Sequence, residues 1–508
     1  MGTRKKSLIL ITVDCLRADH CGFNGYDRPT TPFLDALATE SYVLPTAVIA
    51  GAPTYYSFPA IFASRMPLGL GRDVIGLAPG ENTLTTVLRR AGYATAAFCA
   101  ANPYISPRFG YEQGFEHFED FLGPEFCMKG DPEPESRDRK RRAKQLAEGG
   151  PPDSGLRSAI NRISRRGARA VGLGPVYDEL YFQYCIRLAS PPVDRMEDLR
   201  KFPSAEVIVD HALAWLTSAT EAFFLWLHFM DPHSPYYPPA AAFQQLTGRD
   251  ASASAARYLN ESWNRSDLNV ARLRRKKHRV VELYDAGIRA VDIQIARLVE
   301  GLKRSHLWDN CVLGVTADHG EEFLEHGRRY HAPVSVHEEI ARVPLMIRVP
   351  GVAKRNVPAS PFSHLHLAPT LLEILEMPIP DSFRGKSLWR NLREGMAWED
   401  MAITECVFGC NNPFRATDRS GPRLLSVRDE RHKLVMRVER SATEQLYDLE
   451  CDPAEEKPHA VGAERPIGER LLQAAVTHIQ RGISGRDAAL RLKARLRELR
   501  IELRSGSL

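Results

Sequence analysis

The stretch LILITVD, residues 8–14, decides the fold, because six apolar or β-branched residues of strand length end in an aspartate. Three more apolar runs each lead to a polar group: ATAAFC (94–99) before Asn102, FFLWLHFM (223–230) before Asp231, Pro232 and His233, and VLGVTA (312–317) before Asp318, His319 and Gly320. Continuous apolar strands are typical of a parallel sheet that is covered on both faces.

Segments with helical periodicity separate these runs. They lie at residues 84–91, from about residue 204 through AEVIVDHALAWL, and in a stripe of Ile288, Val291, Ile295, Leu298 and Leu302. Strands that alternate with helices predict a doubly wound α/β domain, in which ligands bind at the carboxyl ends of the strands. The polar groups that follow the four strands therefore indicate a functional site.

Composition and charge exclude several classes of protein. The 508 residues are 44% hydrophobic and 26% charged, which is ordinary for a globular chain and excludes a fibre or a disulfide mini-protein. The net charge of +5 comes from basic residues at 137–169 and 481–504, so the rest of the chain is net acidic. An acidic folded body argues against nucleic acid as a partner.

The cysteines and the N-terminus predict a cytoplasmic protein. Nine cysteines form no CxxC pair, and their odd number and apolar surroundings favour reduced thiols. The apolar run that ends at Asp14 is too short for a signal peptide, and no apolar segment is long enough to span a membrane.

We expect three regions along the chain. Residues 1–350 form the large domain, interrupted at 123–200 by a basic insertion or lid that is rich in charge and turn formers. Residues 351–465 form a small domain with antiparallel strands near 431–439 and 445–450. Residues 466–508 form a basic amphipathic helix, and its leucines Leu492, Leu496, Leu499 and Leu503 favour docking on the same chain over a dimer zipper.

Asp318 and His319 follow the fourth run directly, and Asp14 follows the first. An adjacent aspartate and histidine can ligate one divalent metal where the backbone turns, and Gly320 permits such a turn. A hydrogen-bonding pair at the strand end is the alternative for Asp318 and His319 alone. Asp14, brought to the same sheet edge from far away in sequence, favours the metal site.

The segment AGAPTYYSFPAIFASRMP, residues 50–67, supplies a candidate nucleophile. It predicts a helix with Ser57 as N-cap and Pro59 in the first turn, and Thr54 lies just before that helix. A helix N-terminus attracts an anion such as phosphate or sulfate, and a metal-bound hydroxyl there loses its proton more easily. The alternative is that Thr54 only caps the helix.

These stretches resemble the sulfatase branch of the alkaline phosphatase superfamily. From residue 7 to about residue 457 the motifs occur in the family's order: LILITVDCLRADHCGFNGYDRPTTPFLDALA, TLTTVLRRAGYATAAF, GYEQGFEHFED, LHFMDPHSPYYPP, LYDAGIRAVDIQIARL, TADHGEEFLEHG, HEEIARVPLMIRVPG, LAPTLLEIL with RGKSL, and KLVMRV with QLYDLECDPAE. The resemblance implies an alkaline-phosphatase-like, doubly wound mixed sheet flanked by helices, with a smaller C-terminal α+β domain. It also implies a hydrolase of phosphoric or sulfuric ester bonds.

The resemblance further implies the roles of individual residues. It assigns one divalent metal to Asp14, Thr54, Asp318 and His319. It places His233 and His331 on the substrate ester, on the leaving group or on a second metal near Asp231. The step from His319 to His331 is similar to that in phosphoethanolamine transferases of the superfamily, which also use a threonine nucleophile.

Four positions depart from the family pattern. Thr54 stands at the first position of the CxPxR or SxPxR signature, where it cannot become formylglycine, and Phe58 replaces the arginine of that signature. Cys15 replaces the second aspartate of an Asp-Asp pair, which favours zinc or manganese over calcium or magnesium. Asn102 lies near where many sulfatases have a lysine and a histidine for sulfate, so we take it as a substrate-binding candidate.

Four hypotheses about function follow. The first is hydrolysis of a small-molecule phosphate mono- or diester through a covalent phosphothreonine at Thr54, with His233 or His331 assisting the leaving oxygen. The second is hydrolysis of a sulfate ester without formylglycine. The third is transfer of the group to an acceptor other than water, and the fourth is a non-catalytic, metal-binding descendant. The alcohol half of the substrate and the oligomeric state stay open.

Overall fold

The computed structural model describes residues 5–123, 155–186, 192–219, 222–438, 444–459, 465–481 and 489–493. Its strands, in chain order, are β1 (Ser7–Val13), β2 (Tyr42–Val43), β3 (Ala47–Val48), β4 (Ala94–Cys99), β5 (His117–Glu119), β6 (Phe223–Phe229), β7 (Cys311–Ala317), β8 (Glu322–Phe323), β9 (Arg329–Tyr330), β10 (Arg342–Val343), β11 (Leu345–Arg348), β12 (Phe362–Ser363), β13 (Ala402–Val407), β14 (Arg423–Arg428), β15 (His432–Val438) and β16 (Glu444–Asp448).

The α-helices of the described residues lie between and around these strands. In chain order they are α1 (Pro32–Leu37), α2 (Thr54–Ala63), α3 (Leu84–Arg90), α4 (Gly155–Ala170), α5 (Gly174–Tyr184), α6 (Ala205–Leu216), α7 (Ala240–Thr247), α8 (Ala253–Asn264), α9 (Val270–Arg304), α10 (Glu338–Ala341), α11 (Leu367–Ile374), α12 (Trp389–Glu394), α13 (Ala416–Arg419) and α14 (Arg465–Gln480).

A seven-stranded mixed sheet forms the centre of the molecule, in the order β2-β11-β7-β1-β6-β4-β5. The strands from β7 to β5 are parallel, and β11 and β2 are antiparallel to their neighbours. All seven residues of β1, of β6 and of β7 are buried, as the apolar runs in the sequence predict. Helices flank the sheet, which confirms the mixed α/β class.

The smaller C-terminal unit is built on an antiparallel sheet in the order β13-β14-β15-β16. Its own core joins apolar side chains of the sheet to helix α14: Leu425, Val427, Leu434, Met436, Leu446, Leu471 and Ala475. The strands expected near 431–439 and 445–450 are β15 and β16. The C-terminal α+β unit is thus confirmed.

Parts of the insertion and of the tail lie outside the described residues. Of the predicted insertion at 123–200, residues 124–154 and 187–191 are outside, and the described part contains the helices α4 and α5. In the tail, α14 ends at Gln480, and Leu496, Leu499 and Leu503 are outside. Leu490 packs against the small cluster of Leu70 and Val74, whereas Leu492 is exposed.

Candidate active site

The register of the central sheet brings Asp14 and Asp318 together. Val13 is paired with Ala317 across β1 and β7, so the next residue on each strand is an aspartate at the same sheet edge. The turn after β1 is tight, because Cys15 has a φ of 61° and its N–H donates to Asp318 Oδ1 at 3.3 Å. Both carboxylates are fully buried.

Thr54 reaches this edge from the start of α2. Its Oγ1 lies 3.2 Å from His319 Nε2, and the residue is only 4% exposed. The expected N-cap at Ser57 is wrong: the helix begins at Thr54 after Pro53, and the Ser57 hydroxyl donates to the Asp318 carbonyl at 2.6 Å. The Thr54 hydroxyl therefore points to His319 and does not cap the helix.

The orientation of His319 follows from a hydrogen bond inside its own turn. Nδ1 donates to the Gly320 carbonyl at 2.9 Å, so in the neutral ring Nε2 carries the lone pair. Nε2 lies 3.4 Å from Asp318 Oδ2 and 3.9 Å from Asp14 Oδ1. Gly320 matters through close approach, because a Cβ there would lie 1.9 Å from the Glu339 carbonyl oxygen.

Burial and neighbouring charges shift the pKa values of Asp14, Asp318 and His319. Burial and the adjacent Asp14 raise the pKa of Asp318. Burial acts in the same direction on Asp14, but His233, His228 and His319 together hold the pKa of Asp14 well below its usual range. For His319, burial favours the neutral ring, yet the two aspartates raise its pKa above the usual value.

These residues fit a divalent cation. Asp318 Oδ2 is buried without a hydrogen-bond partner, which is costly unless an ion or water is bound there. Asp14, Asp318 and His319 offer ligand atoms that all lie within 4.8 Å of one another. A metal with bonds of 2.0–2.1 Å in tetrahedral geometry separates its ligand atoms by about 3.3 Å, close to the distances from His319 Nε2 to Asp318 and Thr54.

His233 and His331 stand beside this group. The His331 ring lies 4.5 Å from the His319 ring and 5.1 Å from the His233 ring, centre to centre. His331 Nδ1 is 3.3 Å from both Cys15 Sγ and Glu321 Oε1, and His233 Nδ1 donates to the Ser234 carbonyl at 2.6 Å.

The structure does not bring Asp231 to these histidines. The Asp231 carboxylate accepts from Arg200 at 2.6 Å and from the Ala205 N–H at 2.9 Å, so it anchors the start of α6. Among the described residues, the groups with metal-ligand spacing that include His233 or His331 contain Cys15 instead. The expected second-metal set is therefore wrong in its aspartate.

Asn102 holds Asp14 in place. Its Nδ2 donates to Asp14 Oδ2 at 2.8 Å, and its Oδ1 accepts from the Tyr104 N–H at 3.0 Å. With 3% of its surface exposed, it orients a carboxylate of the site. Its expected contact with the substrate stays a prediction.

Sequence reasoning missed His228, which lies inside β6. Its Nε2 is 3.4 Å from Asp14 Oδ2, and its Nδ1 is 2.9 Å from Thr12 Oγ1. Trp226 Nε1 donates to the same Thr12 oxygen at 3.0 Å, so the Thr12 hydroxyl is free to donate its own proton to His228 Nδ1. The N–H of the neutral His228 ring is then on Nε2, which faces Asp14. Phe58 packs edge-on against this ring at 5.4 Å.

Comparison with known proteins identifies the family of this chain. Residues 6–377 match the family described as Sulfatase, and residues 325–469 match the one described as N-sulphoglucosamine sulphohydrolase, C-terminal. The chain belongs to the sulfatase family. This sulfatase-family chain is 25% identical over 484 residues to an arylsulfatase of Clostridium perfringens, with 89% of each chain covered.

Solved structures show the same fold in this family. A phosphonate monoester hydrolase from Silicibacter pomeroyi superposes with a TM-score of 0.65 at 20% identity, covering 95% of this chain and 96% of that one. A protein solved with its substrate D-glucosamine-2-N,6-O-disulfate gives a TM-score of 0.66 at 17% identity, covering 94% and 98%. These structures share the fold of this chain, and membership of the sulfatase family makes the chain a hydrolase that acts on ester bonds.

Two further expectations concern the cysteines and membrane-spanning helices. The eight cysteines of the described residues form no disulfide. In the same residues, no helix combines the length and the apolar character that crossing a bilayer requires.

Proposed function

We propose that this chain hydrolyses small phosphate mono- or diesters through a covalent intermediate on Thr54. The observation that carries the proposal is the Thr54 hydroxyl, which lies at the N-terminus of α2, 3.2 Å from His319 Nε2 and beside two buried carboxylates. The helix dipole favours an anionic ester at this point. Threonine cannot become formylglycine, so in this proposal the hydroxyl itself serves as the nucleophile, and the alternative attacker is a metal-activated water.

A divalent cation held by Asp14, Thr54, Asp318 and His319 would favour the deprotonated hydroxyl and neutralise the non-bridging oxygens of the ester. Thr54 Oγ1 attacks phosphorus in line, and the bond from phosphorus to the alcohol oxygen breaks. His233 or His331 gives a proton to that oxygen, since both rings border the site. Water then attacks phosphorus and breaks its bond to Thr54 Oγ1, which releases phosphate when the substrate is a monoester or a phosphate monoester when it is a diester, and restores the Thr54 hydroxyl.

Hydrolysis of a sulfate ester is the second candidate. It is favoured by the likeness to an arylsulfatase over nearly the whole chain. Two features weigh against it. A formylglycine hydrate can expel sulfate by elimination, whereas a sulfated threonine needs a second attack at sulfur. Phe58 and Asn102 also stand where the family has cationic contacts for sulfate, and Phe58 is packed among aromatic rings.

A substrate panel and a trapping experiment test the proposal together. Metal-stripped protein is reloaded with zinc, manganese, magnesium or calcium and given p-nitrophenyl phosphate, bis-phosphate, phosphonate and sulfate esters. We expect phosphate esters to be cleaved faster than the matching sulfate. Mass spectrometry of enzyme quenched during turnover should show a phosphoryl mass gain on the peptide that contains Thr54. Faster sulfate cleavage, or an unmodified peptide with full activity in Thr54→Ala, would overturn it.

A further inference from the structure

A second cluster of histidines and carboxylates lies outside the active site. It joins His326, between β8 and β9, His337, just before α10, and Glu455, after β16. One ligand atom from each of these residues lies within 4.8 Å of the other two. The cluster shares no residue with the active site, and it connects the large domain to the C-terminal unit.

The polar atoms of this cluster are buried without being satisfied. His326 Nε2, His337 Nδ1 and Glu339 Oε2 are each buried and make no hydrogen bond. His337 is 8% exposed and Glu455 is 2% exposed. Buried polar groups in folded proteins almost always have a partner, so several such atoms at one place indicate a bound ion or water.

Two distances between polar atoms of the cluster match the separation of two ligands of one metal ion. His337 Nδ1 lies 3.3 Å from Glu455 Oε2, and His326 Nε2 lies 3.4 Å from Glu339 Oε1. A charge-assisted hydrogen bond would bring these atoms to about 2.7–2.9 Å. Two ligands of one tetrahedral zinc ion with bonds of 2.0–2.1 Å are separated by about 3.3 Å.

The two histidine rings of the cluster lie against each other. The rings of His326 and His337 are stacked with their centres 3.8 Å apart and their planes 15° from parallel. Ligand atoms of both rings lie within 4.8 Å of each other and of Glu455. A neutral imidazole is the form that binds a metal, so an ion bound here would displace any proton from the ligating nitrogens.

The surrounding charge also favours a cation. Glu339 is buried beside His326 and contributes negative charge there. Lys433 Nζ lies 3.0 Å from Glu455 Oε1 and offsets part of the Glu455 charge. Glu455 Oε2 accepts the Glu338 N–H at 2.6 Å and faces His337 Nδ1 at 3.3 Å. A donor set of two histidines and one glutamate is a known one for zinc.

We propose that His326, His337 and Glu455 bind a structural divalent metal of the zinc class, with Glu339 as the candidate fourth ligand. The ion would fix the loop that precedes α10 to the segment that follows β16. This site stands independently of the ester that the active site cleaves.

Zinc stoichiometry in an active-site-deficient background tests this inference. The full chain carrying Asp318→Ala is stripped with a chelator, reloaded with zinc, freed of excess metal and measured by elemental analysis. We expect one zinc per chain to be retained, and His326→Gln combined with His337→Gln to remove it. His278→Gln is the matched control, since His278 also faces a glutamate at 3.4 Å, but on an exposed helix surface.

A milder variant covers the case in which the double variant does not fold. Glu455→Gln keeps the shape of the side chain and should abolish the rise in Tm that zinc gives to the Asp318→Ala protein. Cobalt(II) loaded into Asp318→Ala should show visible absorption typical of tetrahedral coordination, and this absorption should be lost in Glu455→Gln. Unchanged zinc content in the folded variants, or a zinc-dependent Tm that survives Glu455→Gln, would overturn the proposal.

Discussion

The active site and the ion-pair network under β15 are both buried, but they treat carboxylates in opposite ways. In the network, Lys433 pairs with Glu338 and Glu455 at 3.0 Å each, and Arg428 also pairs with Glu338. In the active site, Asp14 and Asp318 lie at neighbouring strand ends, and within the described residues neither forms an ion pair with a lysine or an arginine.

The difference separates carboxylates whose charge is offset by a lysine or an arginine from carboxylates that have no such partner. Burying a carboxylate is costly, and a nearby cation offsets that cost in the network. In the active site only histidines are near: they hold the pKa of Asp14 low, whereas burial and the adjacent Asp14 raise the pKa of Asp318. Substitutions in the network should therefore lower stability, whereas substitutions in the active site should lower activity or metal binding.

The largest expected effect is on turnover. Thr54→Ala should lower kcat by on the order of 1000-fold or more, because it removes the nucleophile. Thr54→Ser should keep measurable activity, since the hydroxyl remains. Thr83→Ala is the control, because Thr83 is a true helix N-cap in a capping box on α3. It should cost about 1 kcal/mol of stability and leave kcat unchanged. Equal losses in both alanine variants would contradict the role of Thr54.

The next effect is on stability alone. Lys433→Met should lower the free energy of unfolding by about 3–5 kcal/mol, because Glu338 and Glu455 lose their shared cation in a buried place. Denaturant titration measures the loss. Adding Glu455→Gln to Lys433→Met should recover part of it. If Lys433→Met unfolds at the wild-type denaturant concentration, the network does not have the role assigned to it.

Substitution of His228 tests how strongly metal binding and activity depend on the residues that orient Asp14. His228→Leu should weaken metal affinity or activity roughly 10–100-fold, because Asp14 loses the ring that orients it. Thr12→Val should act in the same direction with a smaller effect, since Thr12 only orients the His228 ring. Metal titration of both variants measures the order, and a larger loss in Thr12→Val would contradict it.

The smallest effect should appear in metal-stripped protein. The pKa of Asp318 is raised in the folded state. At a pH above the usual aspartate pKa, the folded protein therefore binds more protons at this group than the unfolded chain does. As a result, Asp318 makes the free energy of unfolding fall as the pH rises. Asp318→Asn should therefore raise the Tm of stripped protein by about 2 °C at neutral pH. The gain should shrink as pH falls toward the usual aspartate pKa. A lower Tm in stripped Asp318→Asn would show that the two carboxylates do not destabilise each other.

The residues of the site that lie directly after a strand could be predicted from the sequence. Asp14 and Asp318 each follow a continuous apolar run, and parallel pairing of those runs places them side by side. The start of α2 was misplaced because the Ser57 hydroxyl bonds to a carbonyl 261 residues away, which no local pattern reveals. His228 was missed because a single histidine in an apolar strand resembles a core residue, and its partner Thr12 lies on another strand.

The position of β1 in the sheet has a consequence for how the chain is made. This strand precedes both of its neighbours by a long stretch of chain, since β6 begins at residue 223 and β7 at residue 311. At about 5–20 residues per second, roughly 15–60 s separate the synthesis of β1 from that of β7. Until β6 is made this apolar strand has no native partner on either side, and until β7 is made it has only one, and contacts so distant in sequence are slow to close. The segment that delivers Asp14 therefore depends on being shielded from aggregation until translation has passed β7.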